Sequence, residues 1–259
     1  MPNFSGYRCS LCGRTFDPVP VQYTCPDDGG NVDVILDETA INRQVTPAQL
    51  AASREPSLWR YLPLLPVQDP GGRETPLRLA GWTPTLAPQQ LRQALQMPFL
   101  WIKDESRNPT ASFKDRASAV VVARAREIGA EVIVTASTGN AGAALAGMAA
   151  AVGHKAVIFA PKTAPPAKVA QLLVFGARVI LVDGNYDSAF DLTLQAAAEF
   201  GWYCRSTGYN PFTAEGKKTA GLEIWEWYSF QAQDPPRSRP LSILVSVGDG
   251  NIISGIHKA

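Results

Sequence analysis

Histidine and cysteine are scarce in this chain of 259 residues, which contains two histidines and four cysteines. The histidines, His154 and His257, belong to no recognisable motif, which argues against a hydrolase built on a Ser–His or Cys–His pair. Three of the four cysteines have the spacing of metal ligands rather than that of a disulfide framework. The sequence therefore indicates neither a disulfide-rich secreted protein nor a histidine-dependent hydrolase.

An excess of charge of one sign is also lacking, because 24 Lys and Arg residues oppose 23 Asp and Glu residues, for a net charge of +1. Overall charge thus gives no reason to expect a nucleic acid or an anionic membrane as a partner. Residues 1–6 contain no apolar signal core, and the apolar run 141–152 is too short to span a bilayer. We expect a cytoplasmic enzyme that acts on a small molecule, without a nucleic-acid or membrane partner.

The most informative segment is 108–116, where Lys114 stands near the start of a helix predicted over 113–128. Ser112 is predicted to be the N-cap of this helix. The positive end of the helix macrodipole disfavours an ammonium in the first turn, which favours the neutral amine that a Schiff-base nucleophile needs. Asp115 opposes that effect. Taken alone, a solvated surface lysine is the better explanation of this segment.

Two polar turns follow predicted strands, one at 137–140 and the other at 248–252. Both are candidate ligand sites, because ligands bind at the carboxyl ends of strands in open α/β sheets. The hydroxyls and amides of the first turn suit a carboxylate. The glycines of the second allow successive N–H groups to form a nest for phosphate oxygens. This second loop lacks the Lys and Ser/Thr of a Walker loop and does not fit Gly-x-Gly-x-x-Gly.

These three motifs, in this order along the chain, resemble those of the tryptophan-synthase-β-like (fold type II) family of pyridoxal-phosphate enzymes. The matching strings are Ser-Phe-Lys-Asp-Arg around Lys114, Ser-Thr-Gly-Asn at 137–140 and Val-Gly-Asp-Gly-Asn at 247–251. Within that family the threonine synthases are the most similar. Supporting strings lie at 74–77, 103–110 and 210–219. The resemblance covers essentially the whole chain.

The resemblance implies a role for each motif in a lyase that uses pyridoxal 5′-phosphate. Lys114 would hold the cofactor through a Schiff base and would then act as acid and base on the substrate carbons. Asn140 would bond the ring oxygen of the cofactor, while Ser137 and Thr138 would bind the substrate carboxylate. The cofactor phosphate would be held by the amides of five consecutive residues, Gly248, Asp249, Gly250, Asn251 and Ile252.

The resemblance also implies a second anion site. In threonine synthases the amino-acid substrate is O-phosphohomoserine, which loses phosphate and gains water to give threonine. Arg116, Lys217 and Lys218 are candidates for binding the substrate phosphate on charge alone. Solvated surface charges are an equally good interpretation of these three residues, and spacing does not decide between the two.

Cys9, Cys12, Cys25 and Asp28 form two knuckle-like pairs with the layout of a zinc ribbon, in which aspartate takes the place of the fourth cysteine. Some threonine synthases begin with such a ribbon. One alternative is a zinc site of three thiolates and one carboxylate. The other is a ribbon that has lost its metal and keeps its shape, because carboxylates are uncommon in closed structural sites.

From residue 99 onward, strand-like and helix-like segments alternate, which predicts an α/β fold with a parallel sheet covered by helices on both faces. Strands are predicted at 99–103, 132–135, 156–160, 179–182, 202–205 and 241–247. Helices are predicted at 113–128, 141–152, 167–175, 186–200 and around 222–228. The family architecture implies two lobes with parallel sheets and an N-terminal ribbon: 1–36 as the ribbon-like segment, 37–116 with 206–259 as the large cofactor-binding domain, and 117–205 as the small domain.

Prolines at 234–240 predict a linker before the last predicted strand. The chain stops inside an expected helix, and no Ser or Thr is placed to meet the pyridine nitrogen, so we expect the C-terminal part of the large domain to be missing. Three interpretations remain open: a threonine synthase, a related enzyme such as a cysteate synthase or an amino-acid dehydratase, and a non-catalytic fragment that retains the fold. The sequence leaves a monomer and a homodimer equally open.

Overall fold

A computed structural model describes residues 3–231 and 240–259. The chain begins with a three-stranded antiparallel sheet in the order β2–β1–β3. Its strands are β1 (Phe4–Cys9), β2 (Thr15–Phe16) and β3 (Val32–Leu36). The middle strand pairs Tyr7 with both Phe16 and Val34, and Tyr7 is completely buried. This small sheet therefore contributes its inner face to the main hydrophobic core.

Short elements connect this sheet to the first long helix. They are the helices α1 (Glu38–Gln44), α2 (Pro47–Ala51) and α3 (Gln89–Ala94), the 3₁₀ turns Leu58–Leu64, Pro76–Leu79 and Glu105–Arg107, and the strands β4 (Thr85–Leu86) and β5 (Ile102–Lys103). The strand predicted at 99–103 is thus reduced to two residues, which pair antiparallel with β4. Trp59 anchors the segment, since its indole Nε1 donates to the carbonyl of Leu77 at 2.9 Å.

A four-stranded parallel sheet in the order β8–β7–β6–β9 confirms the predicted alternation. Its strands are β6 (Val132–Ala136), β7 (Lys155–Pro161), β8 (Arg178–Val182) and β9 (Tyr203–Cys204). Helix α4 (Lys114–Glu127) precedes β6, and the strands are connected by α5 (Asn140–Ala151), α6 (Pro166–Val174) and α7 (Tyr186–Phe200). All five residues of β6 are buried, as expected for a central strand of a parallel sheet.

Glycines end three of these helices where the sequence predicts. Gly129, Gly153 and Gly176 have φ values of +67°, +66° and +81°, in the left-handed region that favours glycine after a helix. The prediction of Ser112 as the N-cap is wrong, because Phe113 occupies that position without a side-chain cap. The helix begins at Lys114, and Ser112 Oγ accepts a hydrogen bond from the Lys114 amide at 3.1 Å.

Helix α8 (Phe212–Glu226) is almost wholly buried and continues into a π-helical turn at Trp227–Gln231. It packs against α4 on one side and α9 (Asn251–His257) on the other. Glycine permits the close approach to α4, because a Cβ added at Gly216 would lie 2.3 Å from the carbonyl oxygen of Arg116. The first turn of α4 is thereby held close to α8.

The strand predicted at 241–247 is wrong. These residues have no regular structure and are mostly exposed, with Leu244 at 88% and Val247 at 62%. Their apolar pattern suits a strand, but a strand forms only where a neighbour pairs with it, and no part of 3–231 or 240–259 supplies one. The predicted linker 234–240 lies outside the described residues except for Pro240. Across the parts of the chain described, no helix has both the length and the apolar character needed to cross a membrane.

Candidate active site

Lys114 is the first residue of α4, and its side chain is partly buried. Burial lowers the pKa of its amine, and the nearby Arg205 guanidinium lowers it further, while Asp249 opposes both. Asp115, the carboxylate expected to act on this amine, instead accepts hydrogen bonds from the amide and hydroxyl of Thr110, both at 2.6 Å. The expected direction of the pKa shift is therefore found, with burial as its main cause and Asp249 as the opposing carboxylate.

The turn at Ser137–Asn140 follows β6 directly and opens α5. Ser137 Oγ accepts from the amides of Gly139 at 3.2 Å and Gly142 at 2.9 Å, which satisfies N–H groups at the start of the helix. The Ser137 hydroxyl donates to the carbonyl of Gly139 at a long distance of 3.5 Å, and its hydrogen would have to turn from that carbonyl to reach an incoming carboxylate. Thr138 is half-buried beside it, and Asn140, the first residue of α5, is exposed.

The glycine-rich loop precedes α9. Gly250 has a φ of +77°, and a Cβ added at Gly248 would meet nothing within 4 Å, so the backbone borders open space. Asp249 Oδ1 accepts from the Asn251 amide at 3.0 Å, which occupies one of the five amides predicted to receive a phosphate. Ile252, the last of these residues, is half-buried in α9.

Lys217 joins the glycine-rich loop to α8. Its Nζ donates to Asn251 Oδ1 at 2.5 Å, and its side chain is completely buried. Burial, Arg205 and Lys114 together lower the pKa of Lys217 to about 6, and Asp249 opposes them. The start of α4, the end of β9, the middle of α8 and the glycine-rich loop therefore converge on one group of charges, formed by Lys114, Arg205, Lys217 and Asp249.

Two of the three cations proposed for a second anion site have other partners. Arg116 Nη1 lies 2.5 Å from Glu223 Oε1, and its Nε lies 2.7 Å from Glu105 Oε2. Lys218 Nζ lies 2.5 Å from Glu215 Oε2. These cations are neutralised inside the protein, so the interpretation of Arg116 and Lys218 as anion-binding residues is wrong.

Arg205 is the member of the group that sequence reasoning missed. It follows β9 directly and is completely buried, and its Nη1 donates to Thr207 Oγ1 at 2.6 Å. Burial lowers the pKa of Arg205 to about 10, against the raising effects of Cys204 and Asp249. The sequence signal that could have identified Arg205 is its position at the carboxyl end of a predicted strand. The turns 137–140 and 248–252 were identified from the same kind of position.

The four ribbon residues lie together away from this group. One ligand atom from each of Cys9, Cys12, Cys25 and Asp28 lies within 4.8 Å of all the others. Cys9 Sγ is 3.4 Å from both carboxylate oxygens of Asp28, and the Sγ atoms of Cys12 and Cys25 are 3.8 Å apart. Asp28 is oriented by the Gly30 amide, which donates to its Oδ1 at 2.8 Å.

Comparison with known families shows to which family the chain belongs. A family described as "Pyridoxal-phosphate dependent enzyme" matches residues 77–259, a span that includes Lys114, both turns, Arg205 and Lys217. The chain belongs to this pyridoxal-phosphate-dependent enzyme family. Its α/β architecture with a parallel sheet and covering helices is that of the fold type II members.

Relatives within the pyridoxal-phosphate-dependent family include two threonine synthases from archaea. The chain is 38% identical to threonine synthase of Methanocaldococcus jannaschii over 252 residues, which are 97% of this chain and 59% of that protein. It is 34% identical to threonine synthase of Methanosarcina acetivorans over 97% of this chain and 58% of that protein. The chain thus spans somewhat more than half the length of these relatives.

Solved structures of the same family share the fold. The processed form of threonine deaminase isoform 2 from Solanum lycopersicum has a TM-score of 0.58 and 25% identity, covering 74% of this chain and 54% of that one. A pyridoxal 5′-phosphate-dependent aspartate racemase has a TM-score of 0.56 and 29% identity, covering 67% and 52%. Because these enzymes act on different amino acids, the fold alone does not specify the substrate.

Proposed function

We propose that this protein acts as a threonine synthase, a pyridoxal-phosphate-dependent lyase that converts O-phosphohomoserine and water to threonine and phosphate. The observation that carries the proposal is the 38% identity to a threonine synthase over 97% of this chain. Since the similarity covers 59% of that relative, the activity has to be measured on this protein itself.

The residues present fit the cofactor. Lys114 offers a partly buried amine whose pKa is lowered, which suits covalent attachment to an aldehyde. The backbone around Gly248 borders open space, and Gly250 has the backbone conformation of a nest that receives phosphate oxygens. Asn140 is the proposed partner of the ring oxygen. When bound, pyridoxal phosphate supplies an electron sink for chemistry at the substrate carbons.

The proposed substrate contacts come from the turn after β6. Ser137 donates its hydroxyl hydrogen to the substrate carboxylate, and Thr138 lies next to it. Lys114 moves protons on the substrate carbons once the amino acid has displaced it, because burial lowers its pKa and so favours the neutral base. Both roles use groups that α4 and α5 position at the carboxyl edge of the parallel sheet.

We also propose the two-lobed division of the chain, with 117–205 as the small domain and 37–116 with 206–259 as the large one. The ligand would lie between them. In support, the charged group combines Lys114 and Lys217 from the proposed large domain with Arg205, the last residue of the small one. A cleft between lobes is the usual place for a small-molecule site.

Product analysis tests the proposed activity. The cofactor-loaded protein is incubated with O-phosphohomoserine, and released phosphate and threonine are measured together. We expect both in equal amounts, and no product from Lys114→Ala. Release of ammonia from an unphosphorylated amino acid, with no phosphate-releasing activity, would instead support a dehydratase. Absence of any cofactor uptake would support the non-catalytic alternative.

We further propose that Cys9, Cys12, Cys25 and Asp28 bind zinc. A tetrahedral zinc ion with ordinary bond lengths separates two sulfur ligands by roughly 3.8 Å and a sulfur from an oxygen by roughly 3.6 Å. The distances of 3.8 Å between Cys12 and Cys25 and of 3.4 Å between Cys9 and Asp28 match this geometry.

The three thiols and Cys204 are all free, which favours a reducing compartment and supports the proposed cytoplasmic location.

Metal analysis of the purified protein tests the zinc site. We expect one zinc per chain in the wild type, loss of zinc in Cys12→Ser and retention in Asp28→Cys, which restores a fourth thiolate. Wild-type protein without metal after refolding with zinc would refute the proposal.

A further inference from the structure

Tyr23, in the ribbon-like segment 1–36, completes the hydrogen bonding of β9. This strand lies at the edge of the parallel sheet, and the Arg205 amide that follows it donates inward to the carbonyl of Val134 in β6. Because successive N–H groups of a strand point to opposite sides, the Cys204 amide points away from β6. Tyr23 Oη accepts a hydrogen bond from this amide at 3.0 Å. Since Cys204 is completely buried, its amide would be costly to leave without a partner.

The ring of Tyr23 is held between two other tyrosines. It stacks on Tyr209, in the turn between β9 and α8, with ring centroids 4.7 Å apart and planes inclined by 20°. The ring of Tyr203 in β9 lies 6.1 Å away. Tyr23 also packs against both the main hydrophobic core and the smaller cluster that α7 forms with the parallel sheet. Its hydroxyl and its ring therefore contact the two sides of the turn that joins β9 to α8.

The backbone of Tyr23 is tied to the candidate zinc site. Cys25, one of the four residues of that site, follows Tyr23 by two positions. The Cys25 amide donates to the carbonyl of Gly30 at 2.7 Å, and Thr24 forms a β-bridge with Asn31. Because a structural metal ion contributes folding free energy to the segment that binds it, zinc at Cys25 should order this knuckle. The position of Tyr23 then depends on the same knuckle as the metal.

On its other side, β9 is connected to the glycine-rich loop by buried polar side chains. Asn210 Nδ2 donates to the carbonyl of Cys204 at 2.7 Å. Thr213 Oγ1 in α8 donates to the carbonyl of Asn210 at 2.8 Å and lies 3.4 Å from Asn251 Oδ1. Asn210 and Thr213 are both buried. A short series of contacts therefore joins Tyr23 to the loop proposed to hold the cofactor phosphate.

We propose that Tyr23 is a positioning residue that couples metal binding in the ribbon to cofactor binding at the glycine-rich loop. The inference rests on the proposed zinc site and on the proposed cofactor contacts. With zinc bound, the ribbon holds Tyr23 against Cys204 and Tyr209 and favours the arrangement of β9 and α8 that receives the cofactor. Without zinc, Tyr23 is less restrained and that arrangement is less populated. Because coupling between two sites is reciprocal, the cofactor should strengthen zinc binding by the factor by which zinc strengthens cofactor binding.

Amide hydrogen exchange tests whether the ribbon controls the edge of the sheet. Exchange is followed by mass spectrometry of peptides that cover residues 203–210, in the full chain with zinc and after removal of zinc by a chelator. We expect faster exchange in the wild type once zinc is removed, because the Cys204 amide loses its acceptor. In Tyr23→Phe exchange should be fast even with zinc bound, and removal of zinc should change it little. Unchanged exchange in the wild type after removal of zinc would overturn the inference.

Tyr209→Phe is the matched control for the loss of a hydroxyl. It keeps the ring that stacks on Tyr23 and leaves the hydrogen bond to Cys204 intact. We expect its exchange over 203–210 to respond to zinc like that of the wild type. Slow exchange in zinc-bound Tyr23→Phe, equal to that of the wild type, would exclude a role of the Tyr23 hydroxyl and contradict the inference.

The zinc affinity, measured with and without pyridoxal phosphate, separates coupling from simple packing. It is determined by competition with a chelator, while the absorption band of the protein-bound cofactor confirms loading. We expect the cofactor to strengthen zinc binding about fivefold or more in the wild type and in Tyr209→Phe. In Tyr23→Phe the cofactor should leave the zinc affinity nearly unchanged. Full coupling in Tyr23→Phe would mean that Tyr23 only packs, and would overturn the inference.

Failure of the coupling can be told apart from failure of the proposed function. Wild-type protein that binds zinc with the same affinity in the presence and absence of the cofactor would reject the coupling and leave the zinc site in place. Wild-type protein that binds no zinc would reject both, while threonine and phosphate formed from O-phosphohomoserine would still support the proposed activity. Coupling that is lost in Tyr23→Phe, without turnover of O-phosphohomoserine, would support the inference and reject the threonine synthase activity.

Discussion

Arg116 in α4 and Glu223 in α8 form a completely buried ion pair, with Nη1–Oε1 at 2.5 Å and Nη2–Oε2 at 2.8 Å. Burial alone would raise the pKa of Glu223, but Arg116 and then Lys103 hold it at about 2. The pair fixes the helix that begins at Lys114 against the helix that carries Lys217. The ion pair thus helps to hold the partly buried amine of Lys114 and the buried amine of Lys217 in place.

Removing the charge of Glu223 should destabilise the protein strongly. We expect Glu223→Gln to lower the free energy of unfolding by about 3–5 kcal/mol, because Arg116 and Lys103 lose the buried carboxylate that they share and Glu105 alone remains to balance Arg116. Urea unfolding of the cofactor-free protein measures this change. Glu131→Gln is the matched control, since its pair with Lys155 is exposed and screened by solvent, and should leave the free energy of unfolding nearly unchanged. Equal effects of the two substitutions would contradict the structural role of the buried pair.

The close contact between α4 and α8 should tolerate no side chain at Gly216. A Cβ there would lie 2.3 Å from the Arg116 carbonyl oxygen, so α8 has to move away from α4. We expect Gly216→Ala to lower the free energy of unfolding by about 1–3 kcal/mol, and to impair cofactor binding because Lys114 shifts with its helix. Gly72→Ala is the control, since its new Cβ meets within 4 Å only the end of the exposed Glu74 side chain, at 3.0 Å. A fully stable Gly216→Ala protein would refute this packing.

Lys217 should make stability depend on pH. Its pKa is about 6 in the folded protein and about 10.4 in an unfolded chain, so between these values the unfolded state binds the extra proton. Stability therefore rises with pH across this window, by up to about 1.4 kcal/mol per pH unit from this residue. Below about pH 6 both states are protonated and the slope from Lys217 disappears.

Comparison with a variant isolates this contribution. Unfolding of the cofactor-free wild type and of Lys217→Met is measured from pH 7 to pH 9, so that other groups cancel in the difference. We expect Lys217→Met to be the more stable protein at pH 7 and its advantage to shrink as the pH rises. Lys155→Met, which removes an exposed lysine, controls for the loss of a surface cation. A pH-independent difference between wild type and Lys217→Met would show that Lys217 is protonated in the folded state.

Local sequence signals predicted those parts of the fold that depend on local interactions. The alternation of strands and helices and the glycine stops at Gly129 and Gly153 follow from residues adjacent in the chain. Strands are different, because they need a pairing partner: the segment 241–247 has a strand-like pattern, but no strand among the described residues pairs with it. Pairing also sets the length of the strand predicted at 99–103, which is shortened to Ile102–Lys103, the residues that pair with β4.

The sequence predicted those parts of the candidate site that belong to short local motifs. Lys114 and the two turns could be identified from their positions after strands and at a helix start. The sequence does not distinguish between Arg116, Lys217 and Lys218. In the structure Arg116 and Lys218 form ion pairs with carboxylates, whereas Lys217 donates to the side-chain amide oxygen of Asn251. Position at the carboxyl end of a predicted strand was the one sequence signal for Arg205, because its burial and its two unpaired nitrogens depend on residues distant in the chain.

The account depends most on the assignment of Lys114 as the amine that holds the cofactor, and Lys217 provides an internal competitor with a lowered pKa. The direct measurement is borohydride reduction of the cofactor-loaded protein, followed by peptide mass spectrometry. We predict one pyridoxyl group per chain, attached to Lys114, and none in Lys114→Ala. Attachment at Lys217, or no attachment at any lysine, would contradict the account.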